Sequence, residues 1–455
     1  MGNSYVPPHA RRSSAPTSNR VREKITSTNK LEAASAISAL ERDARAAAKK
    51  CGRNDSEGVA AYEAVLVDAR ALVERCARSE FATSSDADDA RFALGEIALE
   101  FSKELERLER RKPLAETSRE EEQKANTRSH ALALEALRAF EDISERESRE
   151  RLNGVATALS RVAELENDDE RSMTSLHRAV ALYDVVSSSV ASDERAQGDI
   201  LPAMWNCADA RLKLAEKCSE KNEDEVALAS YRAAVELYQS ACGFCDAKQG
   251  DDLGAFLYDW GCSWTSFGQF LLQKGMLVEA DTALKQAIEK LKSSANFSAG
   301  SAEPLNALGD ALQTCSELLQ HTDALLAEQS LRLAIDEAYV AALKLNSTDL
   351  NAHIGLGETH MALAASCAAR GDEPAATRAY REAWNSYNRA LMLRDSGDPG
   401  SCDERFGVIY NAACAGNRAG EHAAAQMLLR QLLICGGTTR EAIECDDDLS
   451  GLCLP

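Results

Sequence analysis

The sequence predicts an all-α protein, a right-handed superhelical solenoid of antiparallel helix hairpins, and three observations lead there. Only 9 prolines and 5% aromatic residues accompany a hydrophobic fraction of 45%, so strand and turn signals are sparse while core-forming residues are plentiful. A small residue four before a large apolar one, with another small or apolar residue three after, recurs along the chain. The series runs Ser172-Leu176-Ala179, Ala227-Tyr231-Ala234, Ala280-Leu284-Ala287, Ala327-Leu331-Ala334, Ala376-Tyr380-Ala383 and Ala425-Leu429-Leu432. That spacing puts each trio on one helix face. From Leu176 the central positions step by 55, 53, 47, 49 and 49 residues, which marks a repeated unit.

Taken in order, residues 1–30 are rich in Ser, Pro and Arg and are expected to form a disordered basic tail. Gly2 after Met1 opens a myristoylation pattern, but Val6 stands where that pattern needs Ser or Thr. An Arg- and Ser-rich, acid-poor transit peptide is a second reading, opposed by Pro7 and Pro8, which break an amphipathic helix. Arg11 three residues before Ser14, with Pro16 two after, makes Ser13 and Ser14 candidate phosphorylation sites.

Residues 31–149 read as a helical region. Asn29 and Glu32 open a helix that closes near Gly52, and two further helical stretches follow, separated by the polar run 78–89. Leu94-Gly95-Glu96, with Ala133, Leu137 and Phe140, reads as one degenerate repeat. The charged run from Glu100 to Arg151, interrupted at Pro113, reads as a solvated face plus linker, with a coiled-coil partner surface as the alternative.

Residues 150–440 form the expected array of about six hairpins. Trp264, Phe267, Gly268, Leu271, Ala280 and Leu284 match the W-x2-L-G-x2-Y…A-x3-F signature, and the stretch resembles the tetratricopeptide repeat. Tyr410 to Leu433 repeats the same spacing through Ala412-Ala413, Gly420, Ala425, Leu429 and Leu432. The first helices recur as well: Leu308-Gly309-Asp310 returns 48 residues later as Leu356-Gly357-Glu358, and Tyr339 to Leu343 returns as Tyr387 to Leu391. Units near 48 residues exceed the usual 34, so longer helices or loops are expected, and Lys292 occupies the position where the family places proline. Gly268, Gly309, Gly357 and Ala413 on first helices, facing Ala280, Ala327, Ala376 and Ala425 on second helices, are the expected points of close approach. Residues 441–455 supply an acidic C-terminal cap behind Gly436 and Gly437.

The formal charge is −21; residues 1–30 hold six bases and one acid, a net of +5, which leaves −26 for the rest. Such a polyanion repels phosphate backbones, so nucleic acid is not an expected partner. No apolar run is long enough to span a bilayer, and no secretory signal is seen, so no membrane partner is expected. The 14 irregularly spaced cysteines suit reduced thiols in the cytoplasm, or in an organelle stroma or matrix if residues 1–30 act as a transit peptide. Cys242 and Cys245 have metal or redox spacing but helical surroundings, and the Cys435, Cys445, Cys453 cluster lies in a polar acidic stretch. His353 and His360 share a helix face and lack a third ligand. No catalytic residue, metal site or cofactor is assigned.

The resemblance implies a groove built from first helices and employed in binding a partner polypeptide. Its expected lining is Thr265, Gln269, Asn306, Asp310, Gln313, Ile354, Glu358 and Asn411. These supply amides and acids and no cation, which argues against the chaperone-tail variety and for a neutral or basic segment. The functional expectation is a non-enzymatic interaction scaffold, with a chaperone or assembly factor for a basic client as the alternative and an organellar helical-repeat factor third.

Overall fold

The computed structural model describes residues 28–452 apart from 52–54, 78–83, 110–118, 145–147, 192–196, 244–249, 321 and 396–401. The basic tail with Ser13 and Ser14, the breaker Pro113, and Cys245 and Cys453 therefore lie outside the described residues. Among those described, every regular element is helical. The chain divides into two compact units, residues 1–110 with 118–245 and, among the described residues, 246–455. The array expected over residues 150–440 thus contributes to both units.

The first unit holds four helix pairs: α1 (Thr28–Cys51) with α2 (Asp55–Ala77), α3 (Ser84–Glu109) with α4 (Arg119–Glu141), α5 (Arg149–Leu165) with α6 (Asp169–Ala191), and α7 (Gln197–Glu220) with α8 (Asp224–Cys242). The second holds α9 (Gly250–Gln273) with α10 (Leu277–Phe297), α11 (Glu303–Gln320) with a composite partner, α14 (Leu350–Ala369) with α15 (Glu373–Asp395), and α16 (Cys402–Arg418) with α17 (His422–Cys435). The composite partner is α12 (Ala324–Leu333), a π-helical stretch Ala334–Tyr339, and α13 (Val340–Leu345). The chain closes with α18 (Arg440–Glu444) and a 3-10 turn Asp447–Leu449. Within each unit, first helices also pack on the helix preceding them, so the hairpins stack. Six hairpins follow residue 148, and two lie before it.

The turns have one recurrent geometry. In the α9–α10 turn the Met276 N–H donates to the Leu271 carbonyl at 2.9 Å and Gly275 N–H to Leu272 at 3.0 Å, the paired bonds of a Schellman closure. Asp372 to Cys367 with Gly371 to Ala368, and Glu421 to Gly416 with Gly420 to Asn417, repeat it. The left-handed residue is Gly275, Gly371 and Gly420 in these turns and Asn222 in the α7–α8 turn, the described non-glycine with positive φ, at 59°. Gly436, at φ 72°, ends α17 in the same conformation.

The recurring trios form the hairpin cores. Ala280, Ala327, Ala376 and Ala425 are buried, as are Leu176, Tyr231, Leu284, Leu331, Tyr380 and Leu429. Two expectations need correction. In α4 the fully packed face carries Ser129, Ala133, Ala136 and Phe140, while Leu137 is half-buried, so Leu137 is not an anchor of that repeat. The second helix of the α11 hairpin is not one continuous α-helix. From Leu176 to Tyr183, Tyr231 to Tyr238 and Tyr380 to Tyr387 the separation is 7 residues, but from Leu331 to Tyr339 it is 8. The π-helical stretch absorbs the extra residue and returns Tyr339 to the buried face, where it is 0% exposed.

The C-terminal segment packs against the last hairpin. Ile443 and Leu449 join Ile409, Ala413, Leu429 and Leu432 in one cluster, and Tyr410 donates its hydroxyl to Asp446 at 2.8 Å. Cys414 is buried against that same carboxylate, and burial pushes its thiol up, away from nucleophilic use.

Candidate functional site: the first-helix faces

A notch recurs in both units and sets out the first-helix face. Phe140 of α4 lies between Gly95 of α3 and Gly154 of α5; a Cβ on those glycines would stand 2.6 Å and 2.7 Å from its ring. Tyr339 is held likewise between Gly309 of α11 and Gly355 of α14, and Tyr387 of α15 lies against Gly357. In each case the leucine before the notch glycine is buried and the acid after it, Glu96, Asp310 or Glu358, is exposed. The Leu-Gly-acid motif therefore combines a contact leucine, a space for the partner ring and a carboxylate on the open face.

Electrostatics mark those three carboxyls. Although its side chain reaches solvent, Glu96 stands in a cleft crowded by neighbouring helices, and that partial loss of water, with the carboxylates of Glu100 and Glu41, pushes it up to about 7. Glu358 is raised by burial and by Asp310. Asp310 is raised by burial, although the Tyr339 hydroxyl donates to it at 2.6 Å and opposes the rise.

The expected groove residues divide by accessibility. Gln269, Asp310 and Glu358 are exposed, and Gln313, Ile354 and Asn411 are half-buried. Thr265 and Asn306, expected on the exposed face, are buried: the Thr265 hydroxyl donates to the Gly261 carbonyl at 3.1 Å, and Asn306 donates to Asp349 at 3.0 Å. Gln269, Gln313 and Asn411 also make contacts between neighbouring hairpins. Gln269 donates to Thr314 at 3.2 Å; Gln313 donates to the Gly355 carbonyl at 3.0 Å and to the Thr359 hydroxyl. Ile354 packs beside Tyr387, whose hydroxyl meets Asn411. Part of the intended surface is thus a seam of amide and hydroxyl bonds.

The first unit contains a cleft of about 270 Å³ that the expected lining left out. First helices supply most of it: Glu41 from α1, Phe92, Glu96, Ile97 and Glu100 from α3, Asn153 and Thr157 from α5, Pro202 and Ala203 from α7, with Phe140 and Val186 from second helices. Phe92 and Phe140 meet edge to face, with centroids 5.4 Å apart. The Leu94-Gly95-Glu96 match was its one sequence signal; the other contributors are scattered over more than 160 residues.

Beside it lies a charged cleft lined by Lys103, Arg107, Arg161, Glu164, Lys213 and Lys217 among others. Arg161, with its side chain 6% exposed, reaches Glu106 at 2.5 Å and Glu164 at 2.8 Å, and donates to the Ser102 carbonyl at 3.2 Å. Lys213 pairs with Glu164 and with Asp209 at 2.6 Å. Burial acts to raise Glu164, yet Lys213 and Arg161 hold it down at about 2. These cations are committed to internal acids, so they knit α3, α5 and α7 together.

The remaining candidates are dispersed. Cys242 is half-buried at the end of α8, and Cys435 and Cys445 are exposed. His353 Nε2 lies 3.3 Å from the Ser347 carbonyl, and His360 is half-buried with its pKa lowered by burial. Among the described residues no group of three or more His, Cys, Asp or Glu side chains is placed to hold a metal ion, and no helix is long and apolar enough to cross a membrane.

No known family profile matches the chain, and no curated protein matches it. Among solved structures, the S. pombe nuclear import adaptor Nro1 is similar at 15% identity and a TM-score of 0.44, over 71% of this chain and 98% of that one. A human IFIT1 dimer with PPP-AAAA is similar at 12% identity and a TM-score of 0.40, over 87% and 78%. The C-terminal part of a TPR repeat-containing protein from Cytophaga hutchinsonii is similar at 13% identity and 0.35, over 70% and 95%.

Proposed function

We propose that this chain is a non-enzymatic interaction scaffold that holds a neutral or basic segment of a partner polypeptide against its first-helix faces. The recurrence of an exposed acid after the notch glycine, at Glu96, Asp310 and Glu358, is the observation that supports this reading. Carboxyls raised by their surroundings and by one another are relieved by a cation, so a lysine or arginine placed among them is favoured over an acid. The proximity of Asp310 to Glu358, whose charges repel, supports a second contribution from the second unit, with Gln269, Gln313, Ile354 and Asn411 as neighbouring contacts. The lack of a cation among these contacts disfavours chaperone tails ending in carboxylates, and the charge of −21 disfavours nucleic acid. The irregular spacing of the 14 cysteines supports reduced thiols and placement in the cytoplasm.

The test is affinity capture by the full chain followed by mass spectrometry, beside the double variant Asp310→Lys/Glu358→Lys. Loss of specific partners from the variant, with its helical content intact, is the expected result; an unchanged partner set removes the second unit's face from the reading. The same charge favours a second reading, a chaperone or assembly factor for a basic client. There, capture weakens steeply between low and physiological salt. Salt-insensitive capture would argue for apolar contacts instead.

A further inference from the structure

The cleft of the first unit differs from the second unit's face in shape as well as in position. Its volume of about 270 Å³ falls below the roughly 300–1,000 Å³ of small-molecule pockets and suits one long side chain. Its wall joins an aromatic pair, Phe92 with Phe140, to apolar surface from Val186 and Pro202, while Glu96 and Glu100 stand one helical turn apart on α3. The charges acting on Glu96 are carboxylates, those of Glu100 and Glu41. Three cations also line the cleft, Arg45, Lys103 and Arg149. Arg45 pairs with Glu41 at 3.3 Å, and Arg45 and Lys103 act on Glu100, whereas none of the three is among the charges that act on Glu96.

We infer that this cleft is a recognition pocket for a single arginine side chain presented by a partner polypeptide, its methylenes against Phe92, Phe140 and Val186 and its guanidinium on Glu96. Arginine fits this chemistry better than lysine. Its planar, weakly hydrated head stacks on aromatic rings and donates two parallel hydrogen bonds to a carboxylate, whereas the ammonium of lysine is compact and strongly hydrated. Glutamine and methionine offer length without charge and leave the carboxylate unpaired. The inference rests on the scaffold reading for its occupant, a polypeptide, but it uses a site confined to the first unit.

The experiment uses the full chain and fluorescently labelled short peptides identical except for one central residue, Arg, Lys, Gln or Glu, with binding followed by anisotropy to millimolar concentration. The arginine peptide is expected to bind about tenfold more tightly than the glutamine peptide, with lysine between them and glutamate weakest. Glu96→Gln, a change at an exposed position, should abolish the preference for arginine while leaving the circular dichroism and melting curve in place. Glu96→Lys should reverse the order of the arginine and glutamate peptides. Equal binding of the arginine and glutamine peptides, an unchanged preference in Glu96→Gln, or no saturable binding of the arginine peptide overturns the assignment. A labelled peptide of residues 1–27 is run in parallel. If it competes with the arginine peptide, and deletion of those residues from the chain strengthens arginine-peptide binding, the occupant is this chain's own basic segment and the partner assignment falls. Asp310→Lys/Glu358→Lys should leave all of these affinities unchanged, so failure here and failure of the second unit's face are read separately.

Discussion

The two units join neighbouring hairpins with a different balance of ionic and neutral bonds. In the first, Arg161 of α5 is buried among Glu106 of α3 and Glu164, with Lys213 of α7 completing the network. In the second, amide and hydroxyl bonds make up most of the corresponding seam, Gln269 to Thr314, Gln313 to Gly355 and Thr359, and Asn306 to the Asp349 carboxylate, beside ion pairs of Arg370 with Glu328 and of Lys292 with Glu337. Both seams also hold a buried charge whose desolvation must be offset by its partners, Arg161 in the first and Glu328 in the second, but the first carries the larger ionic network. The packing device beneath them is shared, an aromatic ring set against glycine. The helical repeat therefore specifies where helices touch and leaves the chemistry of the seam free to differ.

The strongest way to break this comparison is Arg161→Ala. Removing one member of a buried network strands the others, at a cost of about 3–5 kcal/mol. Hydrogen exchange should show the loss over α3, α5 and α7 and spare α9 to α17; uniform loss in both units would contradict separate seams. Acid should separate the units next. Glu164 is depressed in the folded state to about 2, so its contribution is present above the ordinary carboxylate range and is lost as pH falls through 4 towards 2. Asp310 and Glu358 are raised, as are Glu96 and Glu100 in the first unit, so their protonation on the same descent favours the folded form. Exchange at pH 5 and pH 3 should thus show protection falling first around Glu164, over α5 and α7, and not across the second unit.

Smaller effects probe what the units share. Gly95→Ala and Gly309→Ala each push a methyl into an aromatic ring, Phe140 or Tyr339, and should cost about 1–3 kcal/mol by overpacking. Ala280→Leu, at a position 0% exposed, tests the same kind of contact in the α9–α10 hairpin. An unchanged melting curve in any of the three removes that contact from the packing scheme. The smallest expected effect is Gln313→Leu, which removes two neutral bonds of the second seam at about 1 kcal/mol. A loss as large as that of Arg161→Ala would erase the distinction between the seams.

Much of the fold was legible because helix contacts leave local traces. Alanine at the closest approach and leucine or tyrosine four residues on recur with the repeat, so Ala327, Ala376 and Ala425 could be placed on second-helix cores from spacing alone. The π-helical stretch also left a trace, since the repeat step is 49 residues at Leu331 to Tyr380 but 48 at Tyr339 to Tyr387. One residue of difference between two anchors of the same helix requires a bulge, yet spacing does not say which backbone form absorbs it. The site was less legible. Periodicity places Thr265 and Asn306 on the first-helix face, but whether such a residue meets solvent or the next hairpin depends on how hairpins stack. The first-unit cleft was legible only at Glu96 and Phe140, because the rest of its wall draws Glu41, Val186 and Pro202 from distant segments with no common spacing.

By itself the sequence determined the helical class, the hairpin unit, its turn glycines and its anchors, because backbone propensity, small-residue contacts and amphipathic period are all local properties of the chain. The tertiary structure decided which acids remain open, which cations are spent internally and where a cleft forms, because accessibility and electrostatic surroundings are set by neighbours remote in sequence.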